Sequence, residues 1–175
     1  MKIVLFGDVA AGKTTISNQI KQNFDFELVA IDDYRKIYGD FTMKGELLAQ
    51  KQFVNAIKKD KNQIIESSGL GKLGIRLKEL ITELEENCLV IILNISPIEI
   101  NKRLKNRKWD IPFPDKQKRL AIIVKTIHAE ISNDVIQKNW IKNNKIVIVK
   151  LENTTIPHQT KVINTIENYI KKKRV

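Results

Sequence analysis

The chain has 175 residues, 42% of them hydrophobic, which suits a single globular domain with a sizeable core. No apolar run approaches the ~20 residues of a membrane span, and the apolar start is too short for a signal-peptide core, so no membrane contact is expected and the chain reads as cytoplasmic. A net charge of +11 favours polyanionic partners, with a solvated Lys-rich surface as the plainer explanation, and the single cysteine, Cys88, excludes an internal disulfide or a cysteine-based zinc site. Cys88 lies in an apolar run and is expected to be buried and inert.

Lys2 to Phe6 is a short β-rich apolar run leading straight into Gly7-Asp8-Val9-Ala10-Ala11-Gly12-Lys13-Thr14-Thr15. Apolar residues at helical spacing follow at once, Ile16, Ile20 and Phe24. A strand, a glycine-bounded loop ending in Gly-Lys-Thr and a helix are the context that a phosphate-binding loop requires. Gly7 and Gly12, with Ala10, Ala11 and Thr15 in the same wrap, let backbone N–H groups converge on phosphate oxygens. The helix start adds unpaired donors and the positive end of its dipole. Lys13 is placed to neutralise β- and γ-phosphate charge, and the Thr14 hydroxyl to ligate Mg²⁺. These residues predict a nucleoside triphosphate site and leave open where the phosphate goes.

Phe26 to Ile31 reads as a second strand ending at Asp32-Asp33, followed by a helical turn from Tyr34 to Tyr38 closed by Gly39. Met43 to Lys59 carries Leu47, Leu48, Phe53, Val54 and Ile57 at helical spacing. Gln63 to Glu66 is a short strand entering the turn Ser67-Ser68-Gly69-Leu70-Gly71, and Leu73 to Glu86 is a strongly patterned helix. Cys88 to Ile95 is a continuous apolar run, as in a strand buried on both faces. Ser96-Pro97-Ile98-Glu99 opens a helix to about Arg107, with Ser as N-cap, Pro at the first helical position and Glu three after the Ser. Lys108 to Asp115, with Trp109, Pro112 and Pro114, is irregular, and a long helix is expected from about Lys116 to Lys138. Lys145 to Leu151 is a last strand and His158 to Lys172 a closing helix.

Strand-like runs alternating with helices predict one α/β domain over residues 1–175: a three-layer fold with a five-stranded parallel sheet and helices on both faces. Ligands in such folds gather beyond the carboxyl ends of the strands. There, Asp32 and Asp33 offer a carboxylate to orient an attacking hydroxyl, one of the two being expected to cap the next helix. Arg35 is placed to hold an acceptor phosphate by a bidentate contact. Glu66 either acts through a water on Mg²⁺ or belongs to an ordinary turn. The basic helix end Lys102 to Lys108 has the form of a lid, over about residues 102–120, whose arginines would close over a triphosphate. Arg107 at its hinge is the first candidate, Arg103 one turn earlier the second, and Arg119 a third. Asn153, among Glu152, Thr154 and Thr155 after the last strand, lies where an adenine would rest. His128 and His158 are single and unclustered, which reads as structural or exposed.

Together these residues resemble the P-loop kinase domain of bacteriophage-type polynucleotide 5′-hydroxyl kinases. The points of contact are Gly7–Thr15, the Asp32-Asp33-Tyr34-Arg35 tetrad, the Ile64-Ile65 strand and the Lys102-Arg103-x3-Arg107 lid, over most of residues 1–120. The resemblance implies a P-loop kinase fold with a helical lid, ATP and Mg²⁺ as cofactors, and nucleic acid, the 5′-hydroxyl end of DNA or RNA, as substrate. It implies a catalytic set of Lys13, Asp32, Arg35 and Arg107: Asp32 as base on the 5′-hydroxyl, Arg35 gripping the acceptor's scissile-side phosphate, Arg107 clamping the donor phosphates. One departure is the turn after the third strand, where the family tends to have an Asp that helps seat the acceptor and this chain reads Glu66-Ser67-Ser68. The phosphatase domain of bifunctional relatives is not expected.

The same scaffold serves small-molecule and nucleoside monophosphate kinases, and a kinase of a hydroxyl on a modified DNA base is a further variant. A GTPase-like switch is disfavoured: Asn144-Lys145-Ile146-Val147 lacks the Asp of a guanine signature, and Asn94 stands where a switch or motor ATPase often places an Asp. A non-catalytic nucleotide-binding module is disfavoured too, since binding alone needs none of Asp32, Arg35 and Arg107.

Overall fold

In the computed structural model, which describes residues 1–105, 111–112, 120–132 and 145–174, the first apolar run is strand β1 (Lys2–Gly7), buried along its whole length. Its side chains alternate, with Ile3 and Leu5 in one core and Val4 and Phe6 in the other. The chain continues through α1 (Lys13–Asn23), β2 (Glu27–Ala30), α2 (Ile31–Tyr38), α3 (Met43–Ile57), β3 (Gln63–Ser67) and α4 (Gly71–Glu83). Then come β4 (Cys88–Asn94), α5 (Pro97–Lys105), α6 (Leu120–Ser132), β5 (Ile146–Glu152) and α7 (Ile156–Arg174).

The five strands form one sheet in the order β2-β3-β1-β4-β5, and every pairing is parallel. Val4 at the centre faces Ile65 on one side and Val90 on the other. Parallel strands buried on both faces need apolar side chains on both, which is why Ile3 to Phe6 of β1 and Cys88 to Leu93 of β4 read as continuous apolar runs, while β3 supplies only Ile64 and Ile65 between the buried polar residues Gln63 and Glu66. On one side Phe53 of α3, Leu77 of α4 and Ile127 of α6 pack on the sheet. On the other, Ile16 of α1, Ile100 of α5 and Val162 and Ile166 of α7 do the same. The result is the expected three-layer α/β sandwich. Cys88 is buried, and burial pushes its thiol pKa up. Among the described residues no helix is long and apolar enough to cross a membrane.

The structure corrects the boundary after the second strand. β2 stops at Ala30, and Ile31 is already helical, so Asp32 and Asp33 sit inside the first turn of α2. The residue at the cap is Ala30, with no side-chain cap hydrogen bond, so neither aspartate plays the capping part expected of one of them. Carboxylates two and three positions past the cap still gain from the positive end of the helix dipole. The start of α5 follows expectation, with Pro97 first and the Glu99 N–H donating to Ser96 Oγ at 3.3 Å. Arg107 and Arg119, most of the predicted lid, and the predicted helix beyond Ser132 lie outside the described residues.

Candidate active site

β1 is the central strand, with later strands laid down on both sides of it, so the loop that follows opens at the switch point of the sheet. Gly12 is the N-cap of α1 in the left-handed region, φ +85°. A Cβ there would also stand 2.7 Å from Asn153 Nδ2, so conformation and space both require glycine. Ala10 adopts φ +65°, a left-handed conformation without glycine's freedom. Such alternating turns aim successive N–H groups at one centre. Lys13 Nζ lies across the loop, donating to the Gly7 carbonyl at 2.9 Å and the Asp8 carbonyl at 2.8 Å.

The neighbouring strand ends close on this loop. The Thr14 hydroxyl donates to Glu66 Oε2 at 2.9 Å. Glu66 is buried at the end of β3, and its other oxygen, Oε1, has no hydrogen-bond partner among the described residues. An orphaned carboxylate oxygen beside a hydroxyl is a donor set that suits a hard divalent cation. Glu66 therefore meets the phosphate loop through Thr14.

The loop is braced from the other side. Arg103 donates from Nη1 to the Ala10 carbonyl at 3.1 Å and from Nη2 to the carbonyls of Asn153 and Thr154, each at 3.2 Å. Its Nε is fixed by Glu99 at 2.9 Å. The second lid candidate is therefore a strut from α5 to the phosphate loop and the β5–α7 turn. Asn153 gives its side-chain amide to the Ala11 carbonyl and its N–H to the Asn94 carbonyl at 2.8 Å. Asn153 is buried and holds the loop, and it also borders the cleft.

Across the cleft stands the first turn of α2. Asp32, Asp33, Glu66, Ser67, Arg103 and the phosphate loop line one cavity of about 700 Å³. Arg35 Nη1 donates to Asp32 Oδ1 at 2.9 Å, while its Nε and Nη2 bind the two oxygens of Glu46 at 2.9 and 2.8 Å. Burial pulls the Arg35 pKa down, but the carboxylates of Glu46 and Asp32 more than offset it and the guanidinium stays charged. The Arg35 side chain is 17% exposed and that of Asp32 41%, so the arginine is the fixed member and the aspartate the one open to the cleft. The resemblance gave Arg35 an acceptor phosphate; the structure gives it two carboxylates.

A further pair escaped the sequence reading. Asp8 of the phosphate loop is fully buried, and its Oδ2 lies 3.5 Å from Nδ1 of His128 on α6, an ion-pair distance rather than a short hydrogen bond. His128 is thus not the unclustered residue it seemed. Burial raises the Asp8 pKa, with the charges of His128 and Lys13 pulling the other way. No sequence signal marks this pair, because Asp8 occupies a variable position of the loop motif and His128 lies 120 residues away. Glu46 was missed for the same reason: a Glu in the first turn of a helix reads as a dipole partner. His158 is at the surface, 3.7 Å from Glu152.

No family model and no curated protein matches this sequence. Solved structures do match in shape. Shikimate kinase from Bacteroides thetaiotaomicron superposes with a TM-score of 0.64 at 13% identity, covering 98% of each chain. The fold is that of the P-loop kinases. A gluconokinase from Sinorhizobium meliloti gives a TM-score of 0.62 at 10% identity, over 98% of this chain and 91% of its own. Deoxyadenosine kinase from M. mycoides, solved with bound dATP, gives 0.58 at 18% identity, over 98% of this chain and 100% of its own. At such identities the likeness is one of P-loop kinase architecture, and the acceptor must be argued from the cleft itself.

Proposed function

We propose that this protein transfers the γ-phosphoryl group of ATP to an alcohol, and that the acceptor is a small molecule such as a sugar or a nucleoside. The observation that carries this reading is the convergence, in one cleft, of the Lys13 loop with a cleft-facing carboxylate, Asp32, held in place by Arg35. Phosphoryl transfer asks the protein for little covalent chemistry. It needs a cradle for the donor phosphates, compensation of their charge and an aimed nucleophile. The Gly7–Thr15 loop would be the cradle, and Lys13 would move from backbone carbonyls to phosphate oxygens. Thr14 and Glu66 would hold Mg²⁺, Thr14 directly and Glu66 directly or through water, and the ion would supply charge compensation on the donor. Asp32 would accept the acceptor hydroxyl's proton and orient its oxygen. Asn153 and Arg103 would keep the loop in shape, and Arg107 remains the proposed clamp on the donor phosphates.

The structural neighbours support a small acceptor, since their names are those of kinases for shikimate, gluconate and deoxyadenosine. A second reading, the 5′-hydroxyl end of DNA or RNA, is favoured by the net charge of +11 and by the Asp32–Arg35 tetrad. The deciding experiment offers labelled ATP with sugars, nucleosides, nucleotides, hydroxymethyl-base DNA and 5′-hydroxyl oligonucleotides. Label on a small alcohol is the expected result; label only on oligonucleotides moves the assignment to the second reading, and label on none ends the kinase proposal.

A further inference from the structure

The wall behind Asp32 carries a group that neither donor binding nor proton transfer requires. Glu46 lies on α3 with its side chain 4% exposed, and closes the fork formed by Nε and Nη2 of Arg35. Gln50, one turn on, donates to the same carboxylate at 2.6 Å. Arg35 Nη1 then reaches Asp32. A guanidinium whose fork is closed by one carboxylate and whose third nitrogen serves another has its charge matched twice over. Two carboxylates, Asp32 on the cleft wall and the buried Glu46 behind it, thus share the one guanidinium of Arg35. An acceptor anion placed against Arg35 would have to compete with both carboxylates for it.

Resting on the kinase reading, we infer that Glu46 determines specificity in the acceptor pocket. By holding Arg35 to Asp32 it reserves this wall for the uncharged part of a polyol or nucleoside, and turns away acceptors that carry a phosphate or carboxylate there. Glu46 touches no reacting atom; it is a positioning residue acting through Arg35.

The test uses pairs of acceptors differing only in an anionic group. One pair is deoxyadenosine and its 3′-monophosphate; the other is whichever alcohol the acceptor panel identifies, with its phosphorylated or, for an acid, esterified counterpart. Wild-type protein should favour the uncharged member by about tenfold or more in kcat/KM. Glu46→Gln keeps the side chain's shape and leaves the Arg35 charge under-matched, so that preference should fall by about tenfold, mainly through the KM of the charged member. Gln50→Ala removes a neutral hydrogen bond from the same carboxylate and should leave the ratio unchanged, which separates charge from packing. A wild-type preference for the charged members overturns the inference, needs no folded variant, and leaves the kinase reading standing. Equal losses on both members in Glu46→Gln also overturn it, because that is what a merely structural carboxylate gives. Transfer to no alcohol at all removes the kinase reading and the inference with it.

Discussion

Asp32 and Asp33 are adjacent and acidic, and both border the cleft, yet only Asp32 is bonded to Arg35 at 2.9 Å. Orientation separates a base from a bystander, since a carboxylate held in one rotamer can aim an alcohol and a loose one cannot. Asp32→Asn should therefore cut turnover by about 10²-fold or more with ATP affinity nearly unchanged, whereas Asp33→Asn should behave close to wild type. Steady-state kinetics with a separate ATP-binding titration checks this, and the reverse pattern would move the base to Asp33. Asp8 poses a different problem at the same scale, a wholly buried carboxyl inside a loop suited to anions. Burial holds its pKa above the ordinary 3.8, so the folded protein binds that proton more tightly than the unfolded chain does. The stability from such a group is complete below the unfolded value and is lost as pH rises through the folded one. Asp8→Asn carries no charge to bury, so its urea midpoint should gain on wild type between pH 4 and pH 7. A difference that stays flat over that range would mean that His128 and Lys13 compensate the burial completely.

Among the elements, the turn from β3 into α4 shows how packing behind the cleft fixes its wall. Gly69 has φ +82°, and a Cβ there would lie 2.6 Å from the ring of Phe6, the last side chain before the phosphate loop. Gly69→Ala should therefore cost about 1–3 kcal/mol in urea unfolding and raise the acceptor KM, because Ser67 and Ser68 line the cleft just before it. An unchanged midpoint would show that the turn can relax away from the ring. Most elements could be read from the chain because each obeys a local rule: unbroken apolar runs for strands buried on both faces, helical spacing for the helices between them, and Ser-Pro-x-Glu at the start of α5. The reading slipped where two rules met. Asp32-Asp33 looked like strand end and cap, but the helix begins at Ile31 because the backbone turns as soon as Ala30 completes its pairing with Glu66.

At the scale of the whole molecule the charge of +11 joins the Asp32–Arg35 tetrad in arguing for a polymer substrate, and it is open to a direct test. Phosphate contacts with a polynucleotide release counterions, so the acceptor KM would climb steeply with salt, while an uncharged small acceptor gives a nearly flat response. A flat response between 50 and 200 mM salt, as order-of-magnitude bounds for such a test, is expected. By itself the sequence determined the phosphate loop, the alternation of strands and helices, the layered parallel sheet and the candidate carboxylates after the second strand, since these follow from neighbours along the chain. Only the tertiary structure decided the partners: Glu46 for Arg35, His128 for Asp8, Glu66 for Thr14, and Ala11 for the amide of Asn153. Those pairs join segments far apart in the chain, or on separate helices, and polar contacts of that kind leave no periodicity for a sequence to display. What each charged side chain can do to a substrate depends on which other charge already holds it, and the fold alone sets that.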